Sequence, residues 1–136
     1  MEDARFLGID YGESRIGLAL SDPLKTFSYS YKTIKNDKSL WQNITVIINT
    51  KNITKVVLGM PDAKRNKDLV DKILSFKNKI ETKFKLEVIT WNEEFTSSIA
   101  QERIIQSVAK KKKRKDKGLI DRNSAAIILE EYLNSL

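Results

Sequence analysis

The chain has 136 residues, a formal net charge of +7 and 40% hydrophobic residues, with neither cysteine nor histidine. That length suits one domain, 1–136, closing one hydrophobic core. The missing residues exclude a disulfide framework, a Ser-His-Asp triad, a Cys-His pair and the usual zinc sites. Acid–base work would fall to Asp, Glu, Lys, Tyr or a bound water. Any metal site would be built from oxygen, which suits Mg²⁺ or Mn²⁺. No apolar run is long enough to span a membrane, and "MEDARF" has neither the basic flank nor the apolar stretch of an export signal. A cytoplasmic protein without a membrane partner is expected.

In chain order, "ARFLGIDYG" and "RIGLALSD" are β-rich segments separated by Glu13 and Ser14, the pattern of a hairpin. Side chains alternate along a strand, so Phe6, Gly8 and Asp10 share one face while Leu7, Ile9 and Tyr11 share the other. "KTFSYSYKTI" alternates aromatic with polar residues, as a half-exposed antiparallel strand does. Leu40, Ile44, Ile47 and Ile48 then fall on one helical face. "KVVLGMP" is a buried strand running into a loop. Leu69, Ile73, Phe76, Ile80 and Phe84 mark a second amphipathic helix, and "KLEVITWNEE" a strand with carboxylates at its exit. Thr96 suits the N-cap of a helix through about Val108. Ala125, Ile128, Leu129, Tyr132 and Leu133 mark a terminal helix. The order β-β-β-α-β-α-β-α-α implies an α/β fold, a mixed five-stranded sheet flanked by helices. Trp41 and Trp91 lie within apolar-periodic segments, which favours core positions over base stacking.

Three acids fall at element ends. Asp10 ends the first strand, with Gly12 allowing close backbone approach or a positive φ; a turn-capping aspartate would look the same. Glu93 and Glu94 follow the last strand, where they would equally complement a helix dipole. Asp121 opens the terminal helix, where Asp121, Asn123 or Ser124 would each serve as N-cap. Together on one sheet edge, three acids suggest a metal–carboxylate site, because divalent cations relieve their repulsion. One or two such ions activate water and stabilise the leaving oxygen of a phosphodiester. The complementary half is basic: Lys110, Lys111, Lys112, Lys113, Arg114, Lys115 and Lys117 surround only Asp116, so nearly all of the net charge sits in these eight residues. Such a run is either a solvated loop or a contact for a polyanion.

The blocks "GIDYGESRIGLALSDP", "VVLGMP", "WNEEFTS" and "KKRKDKGLIDRNSAAIILEEYL" together resemble the YqgF/RuvX family across nearly the whole chain. The resemblance implies a ribonuclease-H-like fold and a nuclease that matures the 5′ end of pre-16S rRNA or resolves Holliday junctions. It places the family's catalytic, metal-binding acids on Asp10, Glu93 and Asp121, and its arginine, a candidate phosphate contact, on Arg15. Asn92 and Glu94 depart from the family's usual Asp and Arg, and "DAKRNKDL" lacks a glycine-containing loop common in relatives. The expected partner is nucleic acid, either precursor rRNA, with ribosomal precursor particles, or branched DNA, acted on by a monomer or homodimer. A non-catalytic nucleic-acid-binding module and an actin- or hexokinase-like nucleotide binder are the alternatives. The second normally pairs two domains in one chain.

Overall fold

The computed structural model describes residues 4–62, 64, 66–93 and 117–136, with backbone alone for 117–120. Its elements are β1 (Arg5–Tyr11), β2 (Arg15–Ser21), β3 (Ser28–Lys35), α1 (Leu40–Thr50), β4 (Ile53–Met60), α2 (Lys67–Phe84), β5 (Glu87–Asn92) and α3 (Lys117–Asn134). The strands form one sheet in the order β3-β2-β1-β4-β5. β1–β2 and β2–β3 pair antiparallel, whereas β1–β4 and β4–β5 pair parallel. The mixed five-stranded sheet expected from the sequence is therefore present. The helix expected from Thr96 to about Val108 lies outside the described residues.

Strand alternation sorts the core into two layers. Leu7, Ile9, Leu18, Val56 and Leu58 point to one face, where they meet Ile44, Ile47 and Ile48 of α1 and Ile73, Phe76 and Ile80 of α2. Ala19 and Val57 point to the other, beneath Ala125, Ile128, Leu129, Tyr132 and Leu133 of α3. Every apolar position read from the helical spacing of α1 and α3 is buried. Trp41 and Trp91 are each partly buried against a core layer, as their apolar settings imply.

α3 reaches the sheet closely because the strands beneath it lack side chains at the crossing. A Cβ on Gly8 would lie 2.8 Å from that of Leu129, and one on Gly17 would fall on the backbone carbonyl of Asp121. Both distances are closer than packed atoms approach, so glycine is required at each point. Gly12 has no positive φ. It serves close approach instead, since a Cβ there would crowd the carbonyl of Arg15.

One sequence expectation needs correcting. Asp121 does not open the terminal helix: α3 starts at Lys117, so Asp121 lies in its second turn. Asn123 and Ser124 are likewise interior and not caps. Leu119 and Ile120 accept helical geometry, and Gly118 costs only about 1 kcal/mol there, so the helix extends back past the apparent cap.

Substituting Gly17→Ala is expected to destabilise the protein by about 1–3 kcal/mol through overpacking against α3. Urea unfolding beside the parent protein checks this. A Gly17→Ala midpoint equal to the parent's would refute the close-approach argument.

Candidate active site

β1, β4 and β5 are mutually parallel, so their carboxyl ends lie together, the place where open α/β sheets build sites. Asp10 is the penultimate residue of β1 and pairs with Gly17 of β2, on the face that α3 covers. Glu93 follows β5 directly and turns back over Gly59 at the end of β4. A Cβ on Gly59 would lie 2.9 Å from Glu93 Oε1. Gly59 is thus the space in which the Glu93 carboxylate sits. Asp121 arrives from above on α3, held by its backbone contact with Gly17.

Asp10 and Glu93 share a side-chain hydrogen bond. Burial raises the Asp10 carboxyl well above its ordinary range, and the neighbouring charges of Glu93 and then Asp121 raise it further. Glu93 is also raised, chiefly by burial, while the hydrogen bond from Asp10 offsets part of the effect. Burial and mutual proximity thus push both carboxyls towards their protonated forms.

Asp121 has a different partner. Its Oδ2 accepts a hydrogen bond from Arg15 Nε at 2.8 Å, an ion pair between groups only partly exposed. Arg15, expected from the resemblance as a phosphate contact, is therefore placed on a candidate ligand. As they stand, no three acids among the described residues converge on one point suited to a metal ion. The structure unites Asp10 with Glu93 and brings Asp121 within electrostatic reach. Glu94 and the basic residues 110–116 lie outside the described residues, and of Lys117 only the backbone is described.

Two supporting residues escaped the reading of the sequence. Gly17 and Gly59 make the room in which the acids meet. A glycine inside a strand marks a close backbone approach, so the signal was present in "RIGLALSD" and "VVLGMP".

The raised Asp10 carboxyl makes stability depend on pH. The unfolded chain loses this proton near 3.8, the folded chain only at higher pH. Folding therefore retains a proton, and stability falls as pH rises through that window. Asp10→Asn removes the ionisable group while keeping a donor for Glu93. Without divalent metal, it is expected to melt about 4 °C or more above the parent at pH 7, the gap closing towards pH 4. Scanning calorimetry in chelator checks this, and a gap that does not change with pH would refute it.

The architecture is shared with known proteins. Over 97% of its length the chain matches Thermus thermophilus RuvC solved with a Holliday junction substrate, with a TM-score of 0.62 and 14% identity, covering 96% of that chain. It also matches the fowlpox virus Holliday junction resolvase, with a TM-score of 0.59 and 18% identity, over 96% of this chain and 98% of that one. At such identities the likeness shows the fold, a ribonuclease-H-like one. Among sequence relatives, a protein of Caldicellulosiruptor bescii named "Putative pre-16S rRNA nuclease" is 35% identical, covering 96% of both chains. One of the same name from Sulfurihydrogenibium is 36% identical over 98% of this chain and 92% of its own. The family model described as "RuvX: Holliday junction resolvase" matches residues 4–135. On these matches over nearly its whole length, the chain belongs to the RuvX family.

Proposed function

We propose that the chain is a divalent-metal-dependent nuclease that hydrolyses phosphodiester bonds, with the 5′ end of pre-16S rRNA as its substrate. The observation that carries this reading is the meeting of Asp10 and Glu93 at the carboxyl ends of β1 and β5, with Asp121 beside them. The names of the RuvX relatives supply the substrate class. The protein would act as a single domain in the cytoplasm, as a monomer or homodimer, on precursor rRNA or the particles that contain it. Among the described residues no helix is long and apolar enough to cross a membrane.

The donor set suits Mg²⁺ or Mn²⁺. The ligands here are all hard oxygens, the donors such ions prefer. Two half-buried acids pushed towards their protonated forms gain a better counter-charge from a cation. Asp10 and Glu93 would hold one or two ions, with Asp121 as a further donor once it turns from Arg15. A bound ion supplies water activation and neutralises charge on the leaving oxygen.

The chain's own residues do the rest. Asp10 would give up its proton to hold a cation, and Gly59 leaves the space that Glu93 occupies. Arg15, were it released from Asp121, would be free to meet a phosphate oxygen beside the acids. The basic run from Lys110 to Lys117 adds salt-sensitive, sequence-independent affinity.

With Mn²⁺ or Mg²⁺, the protein is expected to cleave a precursor-rRNA 5′ leader, and Asp10→Asn to lose about 100-fold or more of that activity, beyond the loss typical of an outer-shell change. Gel analysis of an end-labelled leader, beside a four-way DNA junction, checks this. Cleavage that survives Asp10→Asn or persists in chelator would sink the assignment. Cleavage of the junction alone would move the substrate to branched DNA.

A further inference from the structure

The aromatic–polar alternation of β3 has no role in the acid site, and the structure gives it one. β3 is an edge strand with a β-bulge: Ser30 pairs with Ala19 and Lys32 with Leu18, which leaves Tyr31 as the extra residue. Such a bulge re-aims side chains. Here Tyr31 packs against the core layer beneath α1, and Lys32 lines the adjoining space between β3 and α1. Lys32 Nζ lies 5.0 Å and Lys51 Nζ 5.4 Å from the centre of the Tyr31 ring.

Two hollows meet at Tyr31. One, of about 330 Å³, is lined in part by Arg5, Tyr29 and Lys51. The other, of about 380 Å³, runs between β3 and α1 past Lys32 to Lys35. Each is large enough for a nucleobase. Among the described residues no acid lines either hollow. Among the described residues Arg5, Lys32 and Lys51 form no ion pair, while Lys35 interacts with the charge of Asp37 at the groove's end. Arg5 donates to Tyr29 Oη and to the carbonyl of Ser21, which fixes it at the far end.

The groove lies on the α1 face, across the sheet from the acids, and its near end reaches the strand edge around which a chain could pass to them. Lys35 is the register partner of Arg15, which bonds Asp121. From Lys35 to Tyr29 the strand runs roughly 20 Å, away from the acid site.

We propose that this β3–α1 groove binds a single-stranded RNA segment flanking the cleaved bond, a reading that rests on the nuclease function above. Lys32, Lys51 and Arg5 would contact phosphates, and the exposed Tyr29 would stack on a base, with Tyr31 holding the two lysines at the groove wall. Stacking on exposed rings needs unpaired bases, which a duplex does not offer. Lysines on an edge strand also deter strand pairing between copies, so self-association belongs in the test.

The experiment uses the full chain carrying Asp10→Asn, in chelator, so that binding is read without cleavage and stands whatever becomes of the nuclease assignment. Fluorescence anisotropy with a labelled single-stranded RNA of about 12 nucleotides compares Lys32→Glu/Lys51→Glu with Lys67→Glu/Lys83→Glu, an equal charge change on α2. The groove pair is expected to weaken binding about 10-fold more than the control and to lower the log–log salt slope by about 1.4, two single-strand phosphate contacts. Tyr29→Leu is expected to weaken binding about 5-fold or more, and Tyr29→Phe to keep the stacking and restore most of it. If the charge-reversed pair melts below the assay temperature, Lys32→Gln/Lys51→Gln reads the same slope. Equal losses in groove and control pairs would overturn the proposal, as would equal competition by duplex RNA. So would sedimentation showing a parent dimer that the groove pair dissociates, because the groove would then be an interface between copies.

Discussion

Everything at the acid end of the sheet depends on how closely α3 lies on the strands. Gly17 touches the backbone of Asp121 itself, and Gly8 touches Leu129 two turns further on. The helix is thereby fixed in both height and rotation. Were either position a larger residue, α3 would ride higher and Asp121 would leave the field of Asp10. The apolar layer of Ile128, Leu129, Tyr132 and Leu133 supplies the adhesion, but the missing side chains beneath it set the distance.

The same economy of space explains the chemistry. Carboxylates repel one another and resist burial, yet Asp10 and Glu93 are held together beside a third acid. Two compensations serve: burial and the neighbouring charges push Asp10 towards its protonated form, and a guanidinium pairs with Asp121. Each is a placeholder of positive charge. The arrangement is therefore balanced as it stands; under the nuclease reading proposed above, a cation would take the place of the proton and release Arg15 from Asp121.

Much of this was legible in the residues. The helical faces of α1 and α3 follow from spacing alone, because burying an apolar stripe is the dominant local constraint. Asp10 could be placed on its face because strand alternation leaves no choice. The start of α3 was not legible: Asp121, Asn123 and Ser124 all mimic caps, and only packing shows that the helix begins earlier. Nor was the Arg15–Asp121 pair, whose members are 106 residues apart and carry no local signal of contact. The bulge in β3 was hidden for a similar reason. An alternating pattern predicts a regular strand, and it is the register against β2 that leaves Tyr31 over.

The three acids stand at positions 10, 93 and 121, and the element that completes the set is the last of the described ones in chain order. Contacts of such long sequence separation form late, since loop closure must come first. A growing chain that has made β1 through β5 would have the sheet but not its covering helix. Gly8, Gly17 and Gly59 would then face water, and the acids would be without a roof. The group of acids at the strand ends is thus incomplete until the C-terminal helix has packed on the sheet, so its assembly and the closing of the second core layer are one event.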